Sequence, residues 1–286
     1  MATALIAYYS MGGTTARVGE SIAAGLRSAA FSVELYNIRD GPLSNLQGYD
    51  LLGIGTPTYY FRPPFNVFHF LNALPSLDGL PTFVFVLHGT YQGDAGNMVR
   101  ETLDRKGAKE VGYFHCYGAD FFLGYLKLGY LFSPDHPTAE ELSQAEEFGR
   151  NVAENIFTHT YSKSEKDPSP GFVYRLERFL AGQWLTRQVY SRLFTLSRDA
   201  CTACGLCTKV CPMGNISTDS EGRPTWGRDC LLCLTCEMKC PTDAITSPVS
   251  WLLFRPFLVY NVRHAARDPK LEYVSVTHAH GRTKRV

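Results

Sequence analysis

The run Cys201-x-x-Cys204-x-x-Cys207-x-x-x-Cys211-Pro212 is repeated as Cys230-x-x-Cys233-x-x-Cys236-x-x-x-Cys240-Pro241. Eight of the nine cysteines are used in this way, and only Cys116 stands apart, in an apolar stretch that suits a buried free thiol. Thiols spaced two residues apart sit on a tight loop that aims three sulfurs at one centre, and the fourth ligand must arrive from elsewhere in the chain. A cubic iron–sulfur cluster needs four thiolates. Zinc also takes four, but zinc knuckles do not require a triple at two-residue spacing with a Cys-Pro in each half. Disulfides are the remaining use of so many cysteines, and they do not persist in a reducing compartment.

The remaining sequence is organised differently. At 286 residues, with 45% hydrophobic and 19% charged residues, the chain is long enough for two globular domains. Its first 157 residues alternate short apolar runs with helical patterns, the mark of a parallel sheet covered on both faces. Strands are expected at Thr3–Tyr9, Ser32–Asn37, Leu51–Gly55, Thr82–Leu87 and Glu110–Tyr117. A helix is expected at Thr14–Ala30, from apolar positions Ala16, Val18, Ile22, Ala23 and Leu26, and another at Ala139–Phe157, which opens with Glu140 and Glu141 as the helix dipole favours.

Three loops fall where the strand ends of such a sheet converge. The first, Ser10-Met11-Gly12-Gly13-Thr14-Thr15, leads from strand to helix and offers hydroxyls and backbone N–H groups to a phosphate. Alone it reads equally as a plain strand-to-helix turn. The second is Thr56-Pro57-Thr58-Tyr59-Tyr60-Phe61, followed by Arg62, and the third contains His88, Gly89, Thr90, Tyr91 and Gly93. Both carry aromatics able to stack on a planar ring system.

Together these loops resemble the phosphate loop and the two flavin-flanking loops of flavodoxin, over about residues 3–157. The phosphate loop departs from the common flavodoxin form at Gly12, where a hydroxyl residue is usual, and at Thr14, where asparagine is usual. The cysteine runs, with Ala203-Cys204-Gly205 and Asp243-Ala244-Ile245, resemble the bacterial-type two-cluster ferredoxin over residues 199–247. The order of the two parts resembles the flavodoxin/ferredoxin fusion proteins of anaerobes. The resemblance implies an α/β, flavodoxin-like five-stranded parallel sheet of order 2-1-3-4-5, followed by a small α+β two-cluster module. It implies FMN held by the three loops, and two [4Fe-4S] clusters. In this family's motif the remote cysteine of each run serves the other cluster, so one cluster takes Cys201, Cys204, Cys207 and Cys240, and the other takes Cys230, Cys233, Cys236 and Cys211. The function it implies is electron transfer between FMN and a redox protein partner through the clusters. The alternative is a flavin-dependent reductase of a small molecule, such as a quinone, a corrinoid or a metal complex, with His88, Tyr59 and Tyr91 lining its pocket. A redox sensor is a third reading.

The domain reading is a flavodoxin-like domain over 1–160, a linker and amphipathic helix over 161–198, a ferredoxin domain over 199–250 and an extension over 251–286. Within the second part, Lys163–Pro170 reads as linker and Phe172–Leu196 as one amphipathic helix packed on the ferredoxin module, with a membrane surface as the lesser reading. The aromatic insertion Ala119–His136 is expected to cover the junction between domains or an edge of the flavin. His278 and His280 are expected in a solvated tail. Charge is uneven: residues 1–170 carry twelve basic and eighteen acidic side chains, whereas residues 171–198 carry five arginines and one glutamate, and residues 255–286 seven basic and two acidic side chains. These basic segments offset the acidic first part or dock an acidic partner or membrane, and nucleic-acid binding is not read from them. Peripheral membrane contact and a homodimer stay open. No run of eighteen apolar residues occurs and no signal-peptide pattern opens the chain, so a cytoplasmic location is expected.

Overall fold

The computed structural model describes residues 2–41, 43, 45–169 and 171–286; Met1 and Pro170, which bound the expected first domain and linker, lie outside the described residues. The chain divides into two units. Unit 1 comprises residues 1–119 and 135–174, and unit 2 comprises residues 120–134 and 175–286. The backbone therefore leaves the first unit, contributes to the second, and returns before leaving again.

In unit 1, β1 (Thr3–Tyr8), α1 (Thr14–Ser28), β2 (Ser32–Asn37), β3 (Leu51–Pro57), α2 (Phe65–Ala73), β4 (Pro81–His88), α3 (Ala95–Arg105) and β5 (Lys109–Tyr117) follow in turn, closed by α5 (Ala139–Phe157). The strands form one parallel sheet in the order β2-β1-β3-β4-β5, as the sequence reading expects. Continuous apolar runs such as Phe83-Val84-Phe85-Val86 are buried because helices cover both faces of the sheet. β3 admits the Phe83 and Phe85 rings by having glycine opposite each: a Cβ at Gly53 would lie 2.3 Å from Phe83, and one at Gly55 2.1 Å from Phe85. α5 starts at a full capping box, Thr138 Oγ1 accepting from Glu141 N while Glu141 Oε2 accepts from Thr138 N. Cys116 is buried in this unit's core, and burial pushes its thiol pKa up.

The segment read as a linker is a strap bound to the same unit. Asp167 accepts hydrogen bonds from Tyr113 Oη at 2.7 Å and Gln92 Nε2 at 2.8 Å, and its backbone exchanges two more with Asn97. Arg100 Nη1 donates to Glu165 O at 3.0 Å. Composition alone marks such a stretch as polar; it does not reveal that the polar groups have partners.

Unit 2 begins with the aromatic insertion. α4 (Leu123–Lys127) and β6 (Tyr130–Phe132) lie in it, and β6 pairs antiparallel with β11 (Tyr273–Ala279), which in turn pairs with β12 (Arg282–Arg285). The insertion thus supplies one strand of a three-stranded sheet whose other two come from the C-terminus. The stretch expected as one helix breaks into α6 (Phe172–Leu180), α7 (Gln183–Gln188), a turn at Tyr190–Arg192 and β7 (Thr195–Leu196). The break falls where Gly182 adopts extended geometry and caps α7. The cysteine-rich part follows with α8 (Leu206–Val210), the hairpin of β8 (Ile216–Thr218) and β9 (Pro224–Trp226), α9 (Thr235–Met238), and β10 (Ile245–Thr246), which pairs with β7. α10 (Arg255–Ala265) then precedes the terminal hairpin. His278 and His280 belong to that hairpin: His278 Nδ1 lies 2.8 Å from Thr283 Oγ1, and His280 N donates to the Asp243 carboxylate at 2.9 Å.

Candidate cofactor sites

The first loop follows β1 and opens α1. Ser10 is buried, and its hydroxyl has no hydrogen-bond partner in the protein. Gly13 stands at the N-cap of α1 with φ 87°, and no side chain caps the helix. A Cβ at Gly12 or Gly13 would meet nothing within 4 Å. An uncapped helix start, an orphaned hydroxyl beside it and an open glycine cradle together fit a phosphate group. Thr15 is buried beneath this turn and Thr14 partly exposed.

The second loop is a tight hairpin. Tyr59 and Arg62 exchange both backbone hydrogen bonds, Tyr59 N to Arg62 O at 2.8 Å and Arg62 N to Tyr59 O at 3.2 Å. The two residues between them, Tyr60 and Phe61, both have positive φ, 51° and 62°. Such a turn normally uses Asn-Gly, and two bulky residues there store strain of the kind found at ligand sites. Its third-loop neighbour is bound to it. Gly93, at φ 61°, comes so close that a Cβ would lie 2.6 Å from Phe61 Cα, and Asp94 N donates to Phe61 O at 3.0 Å. Thr58 Oγ1 donates to Gln92 O at 3.3 Å.

The structure therefore brings the three loops together. Tyr59 lies edge-on to Tyr9 at 6.3 Å and its hydroxyl reaches Met11 Sδ at 3.7 Å, linking second loop to first. Thr56 and Pro57 end β3, with Thr56 buried and its hydroxyl turned onto Pro57 O at 2.9 Å. His88 closes β4. It is buried at the end of β4 against Tyr117 at 4.6 Å and His115 at 5.9 Å, its Nδ1 lies 3.2 Å from Thr90 O, and burial lowers its pKa to about 4, so the ring is neutral near pH 7. Gly89 and Tyr91 complete the third loop. Sequence reasoning missed Tyr174: its ring lies against Phe61 at 4.5 Å, tilted by 33°, and 5.6 Å from Tyr91, so the first turn of α6 meets the two loops. Its place among the aromatics that open the segment after the polar stretch, Phe172 and Tyr174, was the only available signal.

In unit 2 the cysteines sort into two groups. Burial raises the thiol pKa values of Cys230, to about 12, and of Cys233 and Cys236; among the lesser causes, Cys211 acts on both Cys230 and Cys233. Cys207 is raised by burial and then by Cys204 and Cys201. Cys211 is thus close enough to Cys230 and Cys233 of the second run to act on both. Backbone N–H groups of Asn215, Leu232 and Ala244 donate to the sulfurs of Cys211, Cys230 and Cys240, each at 3.3 Å, and the Thr235 hydroxyl donates to Cys233 at 3.3 Å. These donors suit sulfurs carrying negative charge. Among the described residues no three of His, Cys, Asp and Glu gather closely enough to hold one bare metal ion. Glu237, next to Cys236, is buried and bound by Lys127, by Ser247 N at 2.8 Å and by Ser250 Oγ at 3.0 Å.

Comparison with known proteins gives a separate match for each part of the chain. Residues 6–147 match the flavodoxin family model, and residues 200–245 match the model of the 4Fe-4S dicluster domain. An uncharacterized protein of Methanocaldococcus jannaschii is 27% identical over 155 residues, 53% of this chain and 99% of that protein. Among solved structures, the oxidised flavodoxin 1 of Bacillus cereus aligns with 20% identity and a TM-score of 0.42, over 54% of this chain and 98% of that one. The two-electron reduced flavodoxin of Megasphaera elsdenii aligns with 19% identity and a TM-score of 0.42, over 53% and 98%. The chain is a fusion of an N-terminal flavodoxin domain with a C-terminal 4Fe-4S dicluster domain.

Proposed function

We propose that this chain is an iron–sulfur flavoprotein of electron transfer, moving low-potential electrons between FMN in the first unit and a redox protein partner through two [4Fe-4S] clusters in the second. The observation that carries the reading is the doubled cysteine run, in which Cys211 of the first run acts electrostatically on Cys230 and Cys233 of the second. It supports one ligand set of Cys211, Cys230, Cys233 and Cys236 and, by exchange, a second of Cys201, Cys204, Cys207 and Cys240. These eight thiolates would fill every ligand position of two such clusters, leaving no iron open for substrate and suiting them to conduction.

FMN, when bound, takes up a pair of electrons and releases them singly, while each cluster carries one. The chain's own residues set the terms of both. Ser10 Oγ, the hydroxyls of Thr14 and Thr15 and the backbone N–H groups around Met11–Gly13 would hold the phosphate. The strained hairpin at Tyr60 and Phe61, clasped to Gly93, would present Tyr59 and Tyr91 to the ring system in one fixed arrangement, so that little reorganisation accompanies each change of charge. In unit 2 the N–H and O–H donors on Cys211, Cys230, Cys233 and Cys240 stabilise negative charge on sulfur and so favour the reduced state. Eight thiols kept as ligands also suit a reducing cytoplasm.

Anaerobic purification with iron, acid-labile sulfide and flavin analysis tests the proposal. About eight irons and one FMN per chain are expected, with flavin bleaching followed by cluster reduction in a potentiometric titration. Four irons or fewer, or a first unit that takes up no FMN, overturns it.

A further inference from the structure

α6 has no buried residue. Its inward side is held by Glu177, which accepts from Asn261 Nδ2 of α10 at 2.6 Å. Phe172, Leu176 and Phe179 recur at the four- and three-residue spacing that places them on one side of the helix, and Phe172 and Phe179 are 81% and 71% exposed. An amphipathic helix ordinarily turns that side inward. The same display continues on neighbouring elements: Trp184 on α7 is 70% exposed, and Leu252 and Leu253 are 79% and 73% exposed on the turn before α10. Phe254 of that turn lies against Tyr190, in the turn that follows α7, at 5.7 Å, and Asn261 joins α10 to α6. From Arg175 onward, α6 is therefore linked within unit 2 to α10, and the turn before α10 to the turn after α7.

Their charge is of one sign. Residues 171–198 and 251–267 contain eight arginines, no lysine and no aspartate, and their single glutamate is Glu177, turned onto Asn261. Arg175, Arg192, Arg198, Arg255, Arg263 and Arg267 are all exposed. Aromatic and leucine side chains standing out from a helix and a turn, in segments that also expose six arginines, are the pattern of a surface that lies in a lipid interface. Among the described residues no helix is long and apolar enough to cross a membrane, so contact would be peripheral.

We infer that the face formed by α6, α7 and the Leu252–Leu253 turn docks on an anionic lipid bilayer. This inference stands on surface residues alone and is independent of which cofactors the chain carries. The test is flotation of the full-length protein, purified anaerobically, with vesicles of phosphatidylcholine alone or mixed with phosphatidylglycerol. Co-flotation is expected with the mixed vesicles only, weakening as salt is raised. The pair Leu252→Asp and Leu253→Asp should lower partitioning by about tenfold or more, and Arg175→Gln with Arg255→Gln should lower it severalfold, with iron and flavin content unchanged in both variants. The Trp184 emission should shift to the blue on binding, read as the difference from Trp184→Phe. Failure to float with either vesicle overturns the inference, as does flotation indifferent to the leucine pair. A concentration-dependent dimer abolished by the leucine pair also overturns it, by assigning the face to a second copy of the chain.

Discussion

Lys127 and Glu237 form an ion pair across 110 positions of sequence, joining the insertion that follows β5 to the residue next to Cys236. The Glu237 side chain is only 3% exposed, and Lys127 with two serine donors is what makes its burial tolerable. Lys127→Ala should cost unit 2 about 1–3 kcal/mol, between the values for an exposed and a fully buried pair, because the lysine itself is 40% exposed. Thermal unfolding followed by loss of cluster absorbance measures it. Lys127→Ala with Glu237→Gln should cost less than the two separate losses added together.

The insertion itself should behave as part of unit 2. Replacing residues 121–133 by a short glycine-serine link removes β6 from the edge of β11 and takes away Lys127. The five-stranded sheet keeps all its strands, so flavin uptake by unit 1 should survive. Iron content should fall and the C-terminal hairpin should become protease-sensitive. Equal damage to both functions would show that the insertion serves unit 1 as well.

His88 should make the first unit acid-sensitive in one defined window. Its folded-state pKa is about 4 against 6.5 for a free histidine, chiefly through burial, with His115 and more weakly His136 lowering it further while the Thr90 carbonyl and Glu141 oppose the shift. Above pH 6.5 the ring is neutral in folded and unfolded chain alike, and the full stability is present. Between 6.5 and 4 the unfolded chain binds a proton that the folded one refuses, so stability falls as pH falls, by roughly 3 kcal/mol in all. Chemical denaturation at successive pH values should show this slope, and His88→Asn should remove it. A wild-type minus variant difference that stays flat from pH 7 to 4 refutes the assignment.

The parts legible in the sequence share a physical cause. The runs at Leu51–Gly55 and Thr82–Leu87 announce buried parallel strands because a strand covered on both faces has no polar side to interrupt it, and observed β3 and β4 extend them only slightly. The cysteine spacing is equally legible, since ligand geometry acts over two or three residues. What escaped reading depends on distant partners. Residues 163–169 look like linker until Arg100, Asn97, Gln92 and Tyr113 bind them. The strand Tyr130–Phe132 gains its partner 143 positions later, at Tyr273–Ser275, and nothing local foretells that pairing. The single helix expected over Phe172–Leu196 failed at Gly182, because apolar periodicity on both sides of a glycine does not show whether the backbone continues through it.

Ser10 offers the cleanest separation of a binding role from a structural one. Its hydroxyl is buried without a protein partner, so in the protein free of flavin it costs desolvation and returns nothing. Ser10→Ala should therefore leave the apo protein as stable as before or raise its stability by up to about 1 kcal/mol. If the hydroxyl donates to a phosphate oxygen when FMN is bound, the same substitution removes a hydrogen bond to a charged group, worth about 1.5–3 kcal/mol. FMN affinity should then fall by about ten- to a hundredfold. Flavin fluorescence quenching on titration reads the affinity, and thermal denaturation of the apo form reads the stability. The two effects have opposite signs only if the group was placed for a ligand. An apo protein weakened by more than about 1 kcal/mol, with flavin affinity unaltered, would make Ser10 a packing residue and remove the phosphate from this loop.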